Sequence, residues 1–344
     1  MRAECLRRAD LPAADILGAV VVSDVHDTDG RIVIERGTRL DSTHRSSLDD
    51  LSWNELHLIR LENGDLGEHD AGTRLVRAAA GDGTAARSVA GGHWPIVAER
   101  RGVVQVRTAA LASVNTIEGL AVYTLPDGQV VDAGEIVARA KILPFVMAEA
   151  SVRSGESASG SGLVAVRAFQ PRRVAAVVQE SLGSSALERF RTSFGEKVEW
   201  FGGKLDAVHR VAPDVASMKR AMSAVLSSGT DLVVIAGTKA MDPLDPAFGA
   251  IAQIGGRVER VGVPAHPGSL LWLARVGTVP LVGMPSCGLF SRATIFDVFL
   301  PRFMCGLPVD GSWLVGLGHG GLLTRDMAWR FPPYRPRHDR GAVD

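Results

Sequence analysis

"VVIAGTKAMDPLDP", residues 233–246, decides how the rest of the chain is read. A short, unbroken apolar run is what a strand covered on both faces requires. Gly237 then lets the backbone leave the strand at any φ and pass close to a ligand. Asp245 followed by Pro246 is a helix start, with an aspartate cap and a proline in the first turn. Strand, glycine turn and capped helix make one unit of an open α/β sheet, and such sheets bind ligands outside the carboxyl ends of their strands. The turn itself carries Lys239, Asp242 and Asp245. Two readings stand. The aspartates are helix and turn caps with Lys239 a solvated charge, or Lys239 meets a phosphate while Asp242 and Asp245 share a hard cation such as Mg²⁺.

The same rhythm extends to both sides. "VAAVVQ" (174–179) reads as a strand ending at Gln179 and Ser181, followed by a helix capped by Ser184 or Ser185 with Leu187, Phe190 and Phe194 on one face. "LDAVHRV" (205–211) is a strand, and Asp214 caps a helix striped by Met218, Met222 and Val225. After residue 246 comes a helix stopped by Gly255-Gly256, then "RVERVGV". Two strands follow that meet at Gly277-Thr278, and a last helix begins near Ala293. Strands interleaved with helices predict a three-layer α/β/α domain on a mostly parallel sheet. Two more turns fall at predicted strand ends. "VPAHPGSLL" (263–271) holds Pro267, Gly268 and Ser269, and "GMPSCGLFSR" (283–292) holds Pro285 and Ser286. Both can present backbone amides to an anion.

The first half is built of short β-rich pieces with turns at Pro126-Asp127-Gly128 and Ala133-Gly134, and one short helix near residues 44–53. It predicts a smaller β-rich α+β domain over 1–150. "SVRSGESASGSG" lacks a hydrophobic period and reads as a Ser/Gly linker over 151–163. The α/β domain then covers 164–310 and an extension 311–344. The tail "RFPPYRPRHDR" reads as solvated.

Composition narrows the function classes. The 344 residues hold 38 Lys plus Arg against 38 Asp plus Glu, which disfavours a polyanion-coating protein, so no nucleic-acid partner is expected. The three cysteines, Cys5, Cys287 and Cys305, have no CxxC spacing and fit a reducing, cytoplasmic setting. Neither a signal segment nor an apolar run of membrane-spanning length is read, so no membrane partner is expected. "GLGHGG" (316–321) matches GxGxxG formally, but "RFPPYRP" after it leaves no room for the helix and second strand of a dinucleotide fold. His266 and Cys287 lie in the predicted loops without partners at catalytic spacing.

The strand with "AGTKAMDPLDP", the "GGRVERVGVPAHPGSLL" segment and "VPLVGMPSCGLFSR" together resemble the molybdopterin-binding domain of molybdenum cofactor biosynthesis, the MoaB/Mog type, over roughly residues 172 to 307. "VNTIEGLAVYTLPDGQVVDAGEIVARAKILPF", "FQPRRVAAVV" and "LVGLGHGGLL" extend the resemblance. They look like the molybdopterin-binding module that precedes a nucleotidyltransferase domain in some bacterial cofactor-maturation proteins. The chain ends near where that transferase would begin, so its activity is expected to be missing.

The resemblance implies molybdopterin as ligand or substrate, with Mg and ATP if an adenylyl- or molybdenum-transferase activity survives. It assigns Gly237, Thr238, Lys239, Pro267, Gly268, Ser269, Pro285, Ser286, Gln179 and Ser181 to cofactor binding, and Asp242 and Asp245 to metal binding and catalysis. It further implies self-association into a homo-oligomer, and partners among other cofactor-maturation proteins or a molybdoenzyme. The chain departs from the pattern at "GTKA", where a second small residue is usual, at Ser269 for Asn and at Ser286 for Gly. It also lacks an "MDGYA"-type segment. These departures make a non-catalytic carrier, sensor or interaction module the alternative reading.

Overall fold

The structure, a computed structural model, describes residues 1–51, 53–87, 92–179, 183–284, 294–332 and 334. The chain divides into two compact units. One comprises residues 1–100, 104–127 and 132–166; the other comprises 101–103, 128–131 and 167–344.

The second unit carries the predicted α/β architecture. Its elements are β1 (Arg173–Val178), α1 (Ser184–Trp200), β2 (Lys204–Arg210), α2 (Val215–Ser227), β3 (Leu232–Ala236) and α3 (Pro246–Gln253). They continue with β4 (Arg257–Val261), β5 (Trp272–Val276), β6 (Val279–Met284), α4 (Ile295–Met304) and α5 (Gly311–Gly316). The strands form one six-stranded sheet in the order β2-β1-β3-β6-β5-β4. β2, β1, β3 and β6 are parallel, β5 runs against β6, and β4 runs against β5. β4 therefore points the same way as the parallel strands, and its carboxyl end lies on their edge.

Alternation along the strands assigns the two faces. Val174, Ala176 and Val178 of β1 pack with Phe190, Phe194 and Val198 of α1 and with Ile295, Phe296 and Phe299 of α4. Ala175 and Val177 turn to the other face, against Met218, Met222 and Val225 of α2 and Ala247, Ala250 and Ile251 of α3. Strands buried on both sides can be continuously apolar, which is why these runs were readable. Asp214 caps α2 as predicted, its side chain accepting from the Ser217 amide. Helix α1 is preceded by Gly183 rather than capped by Ser184 or Ser185.

In the other unit, strands Arg2–Arg7, Glu55–Arg60 and Val20–Val21 form an antiparallel sheet around a core of Leu6, Leu48, Leu56 and Leu58. A four-stranded sheet of Leu120–Thr124, Ile136–Ile142, Trp94–Ala98 and Thr84–Ala86 accompanies helices Glu68–Ala79, Thr108–Asn115 and Glu149–Ser159. The expected linker is thus corrected over most of its length, because residues 149–159 are helical. Val152, Gly155 and Ser159 form its buried face. Gly155 sits where a Cβ would come within 2.6 Å of Leu120 Cδ1, so the small residue serves close packing rather than flexibility. Arg74 anchors the same helix through Glu149 at 2.8 Å and Glu156 at 2.6 Å. The solvated tail is also corrected in part: Tyr334 packs edge-on against Trp200 and Phe201. Among the described residues, no helix is long and apolar enough to cross a membrane.

Candidate functional site

The turn after β3 folds around Asp245. Its Oδ1 accepts from the Ala247 amide at 2.9 Å, which caps α3. Its Oδ2 accepts from the Lys239 amide at 2.7 Å and from Gln179 Nε2 at 3.2 Å. Asp245 is 2% exposed, so both oxygens are committed inside the fold. The carboxylate therefore closes the turn and ties the end of β1 to it. Asp242 is different. It is exposed, and its Oδ1 accepts from the Leu244 amide at 2.9 Å in a local turn. Lys239 is exposed, and no described carboxylate lies within ion-pair distance of it. Met241 and Leu244 are exposed as well.

Gly237 adopts φ +81°, in the left-handed region that glycine enters without strain. Its amide and that of Thr238 have no acceptor among the described residues. Thr238 is held by its side chain instead, the Oγ1 accepting from Trp272 Nε1 at 3.0 Å. That contact depends on Gly283. β3 and β5 flank β6 with Ala236 beside Met284 and Trp272 beside Gly283. A Cβ on Gly283 would fall 1.9 Å from the indole, so the glycine lets Trp272 cross over β6 to Thr238. No local pattern marks Trp272 for this contact; only the strand order reveals it.

The turn between β4 and β5 holds Pro267, Gly268 and Ser269. Pro267 follows a cis peptide bond, and its carbonyl accepts from the Ile295 amide at the start of α4 at 3.0 Å. Gly268, at φ +110°, is buried where a Cβ would stand 2.6 Å from Ile295 Cγ2. Ser269 is exposed, its carbonyl accepting from the Val263 amide. The Gly268 and Ser269 amides have no acceptor among the described residues. His266 pairs through its backbone with Gly321 and Leu323, so "GLGHGG" packs against this turn and makes no dinucleotide loop. Gln179 is 6% exposed, and its Oε1 is buried without a donor among the described residues. Ser181, Pro285, Ser286 and Cys287 lie outside the described residues. Cys305 is buried, as expected of a core position.

The start of α4, directly after the third predicted loop, conceals a charged cluster that no local pattern announced. Asp297 is fully buried. Its Oδ1 accepts from Lys197 Nζ at 2.7 Å and from the Tyr334 hydroxyl at 3.1 Å. Its Oδ2 accepts from the amide and hydroxyl of Thr294, which caps the helix. Burial pushes the Tyr334 hydroxyl up from its ordinary value, and the adjoining carboxylate pushes it further in the same direction. The three partners come from α1, α4 and residue 334, too far apart in sequence for spacing to betray them.

A cleft of about 450 Å³ opens at the opposite, amino edge of the sheet, lined among others by Arg172, Asp231, Arg275 and Asp310. None of the predicted site residues lines it.

No protein-family model matches the chain, and no curated protein matches it. Solved structures do. A molybdopterin biosynthesis MoeA protein from Pyrococcus horikosii is similar over 70% of this chain and 79% of that one, at 14% identity and a TM-score of 0.32. The MoaB enzyme from Thermus thermophilus covers 40% of this chain and 98% of its own, at 14% identity and a TM-score of 0.28. The Mog protein from Mycobacterium ulcerans covers 39% and 93%, at 13% identity and a TM-score of 0.28. All three are described as molybdopterin biosynthesis proteins.

Proposed function

We propose that the carboxyl edge of the second unit's sheet binds an anionic, phosphate-bearing pterin of the molybdopterin class, in molybdenum cofactor biosynthesis or maturation. The observation that carries the reading is the pair of amides at Gly237 and Thr238, without an acceptor among the described residues, beside the exposed ammonium of Lys239. Buried or half-buried amides normally find an acceptor, and a phosphate oxygen is a strong one. Gly268 and Ser269 offer two more amides on the same edge, and Gln179 Oε1 offers an acceptor suited to a ring or exocyclic N–H. The pterin itself is named by the sequence resemblance alone.

The roles of the two aspartates separate. Asp245 shapes the turn, and Asp242 is the carboxylate left to join Mg²⁺ with ligand phosphates, a donor set that this hydrated ion accepts. When bound, the ion would neutralise phosphate charge. The turn's own residues orient the phosphate.

Calorimetry against molybdopterin, with and without Mg-ATP, tests the reading. Stoichiometric binding that weakens in Lys239→Ala supports it, and an unchanged affinity in that variant removes the site. Commitment of Asp245 to three donors favours the second reading, a non-catalytic carrier or sensor. Binding without nucleotide consumption supports that alternative, whereas turnover of Mg-ATP supports a transferase.

A further inference from the structure

A second constellation lies in the first unit, on the sheet formed by Arg2–Arg7 and Glu55–Arg60. Cys5 stands directly opposite His57 in the antiparallel ladder, and Arg7 opposite Glu55. Alternate residues of a strand share a face, so Cys5, His57 and Glu55 project together from one side. Leu6, Leu56 and Leu58 project from the other side into the core, which holds both strands in register. A ligand atom from each of the three exposed residues lies within 4.8 Å of the other two. They are the one such group of three among the described residues.

We propose that Cys5, His57 and Glu55 form a binding site for a zinc-class divalent metal, with the thiolate, the imidazole and the carboxylate as ligands and one position open to water. Thiolate with imidazole is the donor pair that selects borderline and soft metals over Mg²⁺ or Ca²⁺. Bonds of about 2.0–2.3 Å around a tetrahedral ion put ligand atoms about 3.3–3.6 Å apart. Closing to that spacing asks only for side-chain rotation, because all three residues are exposed and the backbone is fixed by the ladder. Glu55 now rests 3.6 Å from Arg7 Nε, an exposed ion pair that is cheap to give up. Desolvation by its neighbours and the nearby Glu55 carboxylate hold the exposed Cys5 thiol above its ordinary value. Metal binding reverses that: the Cys5 proton leaves to solvent as the S–metal bond forms.

The experiment titrates the full chain with Co²⁺ under reducing conditions. The expected result is one equivalent bound with a thiolate-to-cobalt charge-transfer band, displaced by Zn²⁺. Cys5→Ser should abolish the band, while Cys287→Ser and Cys305→Ser should keep it. His57→Ala should weaken binding about tenfold or more, and Glu55→Gln less. All three ligand positions are exposed, so circular dichroism of these variants should match the parent. No saturable binding, a band that survives Cys5→Ser, or an affinity indifferent to His57→Ala would each overturn the site.

Discussion

The two edges of the second unit's sheet spend their polar groups differently. At the amino edge, charges mostly answer one another. Arg173 bonds Asp206 and the Ser228 carbonyl, both at 2.6 Å, and its amide bonds Asp231 at 2.7 Å. Arg275 meets Glu259 at 2.9 Å and two backbone carbonyls. Two buried atoms, Arg172 Nε and Glu259 Oε2, are left over there. At the carboxyl edge, Asp245 is consumed in closing its own turn. What remains among the described residues is a row of unanswered amides and one free-standing lysine. A described cleft lies at the first edge, and the unmet donors of the described residues lie at the second. Unmet hydrogen-bonding groups are a guide to binding that concavity alone is not, because leaving them dry costs free energy that a ligand restores.

Substitutions can break or sharpen that contrast. The largest effect is expected from Asp297→Ala, which removes the buried carboxylate that Lys197, Tyr334 and Thr294 share and should cost about 3–5 kcal/mol in urea denaturation. Asp245→Ala removes a cap and frees two further donors. It should cost about 2–3 kcal/mol and abolish pterin binding together. Were binding to survive intact, the turn would not need its closure. Gly283→Ala drives a methyl into Trp272 and should cost about 1–3 kcal/mol, with a change in tryptophan fluorescence as the indole leaves Thr238. Arg173→Ala, on a residue 48% exposed, should cost under about 1 kcal/mol and leave affinity untouched. A shift in affinity there would erase the distinction between the edges. Lys239→Ala should move stability by less than about 0.5 kcal/mol while weakening ligand binding about tenfold.

Legibility in the sequence followed locality. The strands of the second unit announced themselves because burial on both faces makes them apolar without interruption, as in residues 174–178 and 232–236. Asp214 and Asp245 were readable as caps because capping acts within three residues. Helix Glu68–Ala79 escaped notice, since half of its residues are polar and its buried stripe includes Ala71 and Gly72. Residues 151–159 read as part of a linker and are helical, for a related reason. Glycine and serine are as much the signature of tight helix packing as of a linker, and only the neighbour, Leu120, tells which.

By itself the sequence determined the alternation of strand and helix, the glycine exits and the capped helix starts, since each depends on residues a few positions apart. Tertiary structure alone decided that Trp272 reaches Thr238 across Gly283, that Lys197, Asp297 and Tyr334 share one buried cluster, and that Cys5 faces His57. Those contacts join residues 34 to 100 positions apart in the bonded cases. Which distant residues meet is set by strand order and register, and no local propensity encodes either.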